Sequence, residues 1–231
     1  MPLGIDRAAA IYDKRPEPQT RLGAGKGGIF TMKIELILIR HGATIGNAER
    51  RYIGQRSNQP LSERGAKELL ERKKRGLYPS VEALYVSPLA RCVETARLIY
   101  PMLVPSFLPS LAEMDFGSFE GKNYEQLKDD PAYRQWIDTA GETAPPGGES
   151  GQEFAQRLLG AVRQIAGDAR ARAFHSAAVV THGGCIMTMI AKLHPLAESV
   201  VDRYDYQAVN GGGYRVSLDT GTLRFDKISP L

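Results

Sequence analysis

From Lys33 onward the chain alternates short apolar runs with amphipathic stretches, and this alternation limits the possible folds more than any other feature. Lys33–Ile39 (KIELILI) is almost continuously apolar over the length of one strand, as expected for a strand covered on both faces. Leu84–Val86 and Ala177–Thr181 read as strands of the same kind. Helical stretches separate them. Ser62 caps one that runs to about Arg75, and Pro88 suits the first turn of another that runs to about Tyr100. Tyr124–Asp138 reads as helix with a break at Pro131. Glu153–Ala166 carries Phe154, Leu158, Leu159, Val162 and Ile165 on one face, and Gly184–Leu193 follows the last of these strands. Pro101–Pro109 holds three prolines and room for a short extended segment, and Thr143–Gly151 is a turn-rich loop. Tyr214–Leu218 and Leu223–Ile228 form a strand pair around Asp219–Gly221. The pattern predicts an α/β three-layer sandwich, a mostly parallel central sheet with helices on both faces.

Composition narrows the function classes. With 231 residues, 42% of them hydrophobic and 24% charged, the chain can bury a core without staples and is not disordered. No apolar run approaches the ~18 residues of a membrane span. Two cysteines, Cys92 and Cys185, are too few for a disulfide framework or thiolate metal cluster; they suit a reducing, cytoplasmic setting. The net charge of +4 is mild, and the densest basic stretch, Arg72–Arg75, reads as a solvated helix face without the interleaved aromatics of a nucleic-acid surface. A modest positive balance favours a small anionic partner. Residues 1–31, rich in glycine and proline, read as a flexible leader that need not be native, since Met32 stands just before the first strand; the folded domain is 32–231. Gly23–Gly28 (GAGKGG) lacks the spacing and the preceding strand of a phosphate loop.

Ligands of such sheets sit beyond the carboxyl ends of the strands. There the sequence is unusual. The first strand runs into Arg40-His41-Gly42, the second into Ser87-Pro88-Leu89-Ala90-Arg91, the third into Thr181-His182-Gly183-Gly184. Two of four histidines thus directly follow an apolar strand and precede glycine, which lets backbone approach a ligand. Two arginines and two histidines make a cationic pocket suited to a phosphoryl group: guanidinium forks match phosphate oxygens, and a neutral imidazole is a competent nucleophile. No metal is required where cations already surround the phosphate, and the histidines lack zinc-ligand spacing. A proton donor for the leaving oxygen is found in Leu111–Gly117: Glu113, with Asp115 as rival on the same face of any strand. His175 and His194 read as surface or capping residues, Cys92 and Cys185 as packing residues, Trp136 and Tyr124 as core or rim, and Glu149 as the cap of the helix containing Glu153.

Arg40-His41-Gly42-Ala43-Thr44 with Asn47, Pro60-Leu61-Ser62-Glu63-Arg64-Gly65, Ser87–Arg91 followed by Thr95-Ala96, Glu113, and Thr181–Gly184 together resemble the histidine phosphatase superfamily in its phosphoglycerate mutase-like branch, over roughly residues 33–220. The resemblance implies that His41 becomes a phosphohistidine, that Arg40, Arg91 and His182 hold the phosphoryl oxygens with Asn47 and the Gly183 N–H, and that Glu113 is the general acid. Thr44 and Gln55 are implied as pocket neighbours. Arg56–Gln59 lacks the acidic residue that many members carry before the Pro60 equivalent, which bears on substrate rather than chemistry. Leu111–Lys122, Tyr124, Leu127, Trp136, Asp138 and Pro146–Ser150 resemble the α-ribazole phosphatase group of cobalamin nucleotide-loop synthesis. The implied partner is a small phosphorylated metabolite, no cofactor is implied, and a homodimer is left open. The rival expectations are a broad sugar-phosphate phosphatase, a cofactor-dependent phosphoglycerate mutase, and a catalytically idle phospho-ligand binding protein.

Overall fold

The computed structural model describes residues 32–196 and 201–231; the leader expected at 1–31 lies outside them. In chain order the elements are β1 (Lys33–Arg40), α1 (Ile45–Ala48), α2 (Glu63–Lys74), β2 (Ala83–Val86), α3 (Ala90–Ile99), β3 (Ser106–Phe107), α4 (Tyr124–Leu127), α5 (Pro131–Asp138), α6 (Gly151–Arg172), β4 (Ser176–Thr181), α7 (Gly183–Leu193), β5 (Gly213–Asp219) and β6 (Arg224–Pro230). Short 3-10 turns lie at Pro109–Leu111, Gly117–Phe119 and Arg203–Tyr206.

The six strands form one sheet in the order β3-β2-β4-β1-β5-β6. The β3/β2, β2/β4 and β4/β1 pairs are parallel, whereas β5 runs antiparallel to both its neighbours, so only β5 is reversed. The α/β sandwich read from the sequence is therefore the one observed. Its reason is visible in β1. Ile34, Leu36 and Leu38 point to the side packed by α6 and α7, among Phe154, Leu158, Val162, Ile165, Ile186 and Ile190. Ile37 and Ile39 point to the other side, against Leu69 of α2 and Cys92, Ala96 and Ile99 of α3. Side chains alternate across a strand, so a continuous apolar run must be covered on both faces.

Several boundaries differ from the sequence reading. Pro88 does not enter the helix: α3 starts at Ala90 with Leu89 as its extended N-cap, and the Asn58 side chain accepts the Ala90 N–H at 2.6 Å. Pro131 does break the 124–138 stretch, standing at the first turn of α5 behind the Asp130 cap. Helix α6 extends to Arg172, six residues beyond the expected end, because Ala169 still buries against the core. It stops where Ala173 turns left-handed, at φ 54°. Its cap is Ser150 in a capping box with Glu153, not Glu149, whose carboxylate is taken by Arg157.

Candidate active site

Register brings the site together. Arg40 of β1 lies opposite Thr181 of β4, and Val180 lies opposite Val86 of β2, so the three unusual strand ends emerge side by side. The His41 N–H donates to Thr181 O at 3.0 Å, which sets the next residues, His41 and His182, against each other. Their ring centroids are 5.2 Å apart at an interplanar angle of 64°. The rings are 4% and 0% exposed.

The His41 ring has its Nδ1 2.7 Å from the Gly42 carbonyl. A carbonyl only accepts, so Nδ1 carries the hydrogen and the lone pair resides on Nε2. Burial, followed by the Arg91 and Arg40 charges, pushes His41 down to about 3, outweighing the Gly42 carbonyl. His182 is likewise held well below its ordinary value, by burial and then by His41 and Arg91. Its Nε2 pairs with Ser87 Oγ at 2.8 Å.

Arg91 is fully buried. Its Nη1 donates to Ser57 O at 2.7 Å, and its Nη2 to Gly54 O at 3.0 Å and Ile53 O at 3.3 Å. Arg40 donates from Nη1 to Ala208 O at 2.7 Å. The Nε–H of each guanidinium is buried without a partner among the described residues. Burial lowers both arginines, and Glu113 opposes the effect. Glu113 faces both guanidiniums and Glu120 faces Arg91 as well, while the Nε–H of each stays unpaired among the described residues, a state that an anion would relieve.

Glu113 is 8% exposed. Its carboxylate accepts the Met114 N–H at 3.0 Å and, at the start of α7, the Gly184 N–H at 3.1 Å. A Cβ on Gly184 would stand 2.5 Å from Glu113 Oε1, so this approach requires glycine. Asp115, the rival, is held by Arg56 (Nε to Oδ1 2.8 Å) and by the Gly117 N–H at 2.9 Å. Burial pushes Asp115 up, but Arg56 and the Gly117 N–H outweigh it and keep it below the usual carboxylate range. Asp115 is therefore tied up at the rim by Arg56 and the Gly117 N–H.

The remaining expected residues divide. Asn47 is tied to the His41 segment: its Oδ1 accepts from Thr44 N at 3.1 Å and from Asn210 Nδ2 at 3.2 Å, and Asn210 also donates to His41 O. Gly183 opens α7 beside Arg40, whose Nε would lie 3.3 Å from a Cβ there. Thr44 is buried, yet its hydroxyl is spent capping α1. Gln55 is exposed at the rim and takes part in holding Asp115. Cys92 and Cys185 are buried; burial pushes the Cys92 thiol up to about 12 and Cys185 well above its ordinary value, which suits packing residues. His175 is exposed and His194 tilts against Tyr206, both away from the cluster. Among the described residues, no group of three or more His, Cys, Asp or Glu side chains is placed to hold a metal ion.

Sequence reading missed three contributors. Asn210 donates to His41 O at 3.1 Å and ties it to Asn47; the Gly211–Gly213 run after it was the available signal. Ser87 was visible only as part of a motif. The third is a cavity of about 390 Å³ beside Glu113 and Gly184, lined by Tyr52, Phe116, Trp136, Phe154 and Met187 among others. Trp136 lies in this wall with Nε1 buried and without a partner among the described residues. Tyr124, read with it as core or rim, is 60% exposed.

Comparison with known proteins supplies a frame for this geometry. Residues 36–229 match the histidine phosphatase superfamily (branch 1). The adenosylcobalamin/alpha-ribazole phosphatase of Escherichia coli K12 is 32% identical over 166 residues, covering 69% of this chain and 79% of its own. The crystal structure of the alpha-ribazole phosphatase from Shigella flexneri superposes with a TM-score of 0.70 at 26% identity, over 80% of this chain and 91% of that one. The phosphoglycerate mutase from Thermus thermophilus superposes with a TM-score of 0.61 at 30% identity, over 86% of this chain and 99% of that one.

Proposed function

This chain belongs to the histidine phosphatase superfamily, and from that premise we propose that it hydrolyses a phosphomonoester through a phosphohistidine on His41. The observation that carries the reading is the His41 ring, neutral and buried, with Nδ1–H pinned to Gly42 O and a lone pair on Nε2 beside two incompletely paired guanidiniums. Nε2 attacks phosphorus, the P–O ester bond breaks, and Glu113 gives its proton to the leaving oxygen. Arg40, Arg91, His182, Asn47 and the Gly183 N–H hold the phosphoryl oxygens as charge develops. Glu113 then takes a proton from water, the oxygen attacks phosphorus, the P–N bond breaks, and orthophosphate leaves with His41 neutral again. The guanidiniums supply the positive charge, so the reading needs no metal and no cofactor.

For the leaving group we favour one with an apolar, flat portion, with α-ribazole 5′-phosphate as the leading candidate. Two observations support this: the aromatic cavity adjoins Glu113, and two of the three relatives above are named as alpha-ribazole phosphatases. A sugar phosphate remains the other candidate of this class. The Thermus relative favours a second reading, phosphoglycerate mutase. Against it, the one arginine lining the cavity, Arg203, already bonds Ala140 O and the Tyr204 hydroxyl. A substrate carboxylate would have to displace those contacts. An idle binding protein would have no use for a buried carboxyl beside a nucleophilic imidazole. Buried free cysteines support a reducing cytoplasmic setting, and no helix among the described residues is long and apolar enough to cross a membrane.

The test is hydrolysis of p-nitrophenyl phosphate with trapping of the phosphoenzyme. Turnover is expected to be sensitive to vanadate, insensitive to EDTA and independent of 2,3-bisphosphoglycerate, and His41→Ala abolishes both turnover and acid-labile labelling. Normal labelling in His41→Ala refutes the nucleophile; an absolute need for the bisphosphate establishes the mutase instead.

A further inference from the structure

Glu113 belongs to no helix or strand. Residues 112–116 connect the 3-10 turn at Pro109–Leu111 to that at Gly117–Phe119, so their peptide groups have no ladder to join. From Ser110 to Asp115 the carbonyls are satisfied one by one. Thr181 Oγ1 donates to Leu111 O at 2.8 Å, the Gln55 N–H to Met114 O at 3.3 Å, and the Glu149 N–H to Asp115 O at 3.1 Å. The carbonyls of Ser110, Ala112 and Glu113 meet one guanidinium on α6, and the Cys185 thiol of α7 also donates to Ala112 O at 3.2 Å. Arg157 donates from Nη1 to Ser110 O at 2.9 Å and Ala112 O at 2.7 Å, and from Nη2 to Glu113 O at 2.9 Å.

The same guanidinium is itself fixed. Its Nε donates to Glu149 Oε2 at 2.9 Å and its Nη2 to Glu149 Oε1 at 2.6 Å. Its face stacks on the Phe154 ring at 4.7 Å from the centroid. Glu149 Oε1 also accepts the Asp115 N–H at 2.8 Å. Only 23% of the Arg157 side chain and 14% of that of Glu149 are exposed, so the pair is shielded from the screening that weakens surface ion pairs. A long helix thus grips the backbone on both sides of Glu113, through Ser110, Ala112 and Glu113 itself by Arg157 and through Asp115 by Glu149.

We propose that Arg157 and Glu149 are positioning residues for the Glu113 carboxyl, holding it at the leaving oxygen without touching substrate. The inference rests on the reading of Glu113 as general acid. One of the carboxylate's two backbone donors, Met114 N, lies inside the gripped segment and the other, Gly184 N, lies on α7. A slip of the segment therefore moves the acid relative to the phosphate cluster, whose arginines and histidines lie on other elements. A planar fork spanning three carbonyls and a carboxylate cannot be replaced by an ammonium.

The readout is leaving-group dependence, which loss of folding or of the phosphate pocket would not produce. General acid catalysis contributes roughly 10²–10⁴-fold where the leaving oxygen is basic, and little where it is nitrophenolate. In Arg157→Lys and in Glu149→Gln, kcat/KM for an alkyl phosphate is expected to fall at least about tenfold further than kcat/KM for p-nitrophenyl phosphate. Combined with Glu113→Gln, neither substitution should add to the alkyl-phosphate defect, as expected for residues acting through that group. Equal losses on both substrates, or full additivity with Glu113→Gln, overturn the proposal. If Arg157→Lys yields no folded protein, Glu149→Gln, which keeps the side chain's size, carries the same comparison. If Glu113→Gln itself shows no leaving-group dependence, the acid assignment has failed rather than the positioning.

Discussion

Burial keeps His41 neutral, the state that the proposed attack on phosphorus requires, at the expense of acid stability. Its value of about 3 lies below the ordinary 6.5, so above pH 6.5 neither folded nor unfolded chain protonates it and there is no linkage. As pH falls below 6.5 the unfolded chain takes up a proton that the folded chain refuses, and stability declines until about pH 3. His182, also held neutral by burial, acts in the same direction. Each can steepen the fall by at most about 1.4 kcal/mol per pH unit. Urea unfolding of His41→Gln across pH 4 to 7 should show a shallower loss than the parent chain; parallel curves would mean the ring is not held neutral. At this scale the sequence was highly legible. Arg40, His41, Arg91 and His182 could be named from strand-end motifs and Glu113, with Asp115 as rival, from the Leu111–Gly117 segment. What it could not choose was the acid: Glu113 and Asp115 are two positions apart, and only the Arg56 contact, made from a distant loop, ties up one of them.

The elements were legible where local chemistry sets them and not where distant contacts do. Ser62 and Pro131 marked real helix starts because an accepting hydroxyl and a fixed φ act locally. Pro88 did not, since Asn58 reaches from another loop to cap Ala90. At α6 the sequence reading named Glu149 as the cap. Ser150 won because Glu149 is paired with Arg157, two turns into the helix. Its hydroxyl accepts the Glu153 N–H at 3.2 Å, while Glu153 accepts the Ser150 N–H at 2.8 Å. Ser150→Ala should therefore lower unfolding free energy by about 1 kcal/mol, seen as a shifted urea midpoint with unchanged slope. No shift would mean that Glu149 or solvent caps the helix instead.

For the whole molecule the question is what the phosphate arrives attached to. The aromatic wall beside Glu113 is assembled from Tyr52 of a loop, Phe116 after the acid, Trp136 of α5 and Phe154 of α6, and the rings of Tyr52, Phe116 and Trp136 meet edge to face. Trp136→Ala should reduce kcat/KM for a phosphate ester with an aromatic leaving group by roughly tenfold, the scale of about 1.4 kcal/mol of ring contact. A small sugar phosphate, assayed in parallel, should change far less; equal losses would mean the ring is only core. None of these residues announced a shared role in the sequence, because no periodicity links positions 52, 116, 136 and 154. The sequence by itself determined the layered α/β architecture and the cationic centre, since alternating burial and strand-end chemistry are written in neighbouring residues. Only the tertiary structure decided how Glu113 and Asp115 are partnered, what grips the Glu113 segment and which aromatic wall adjoins it, because those depend on side chains that come within hydrogen-bonding or packing distance only after the chain has folded over the sheet.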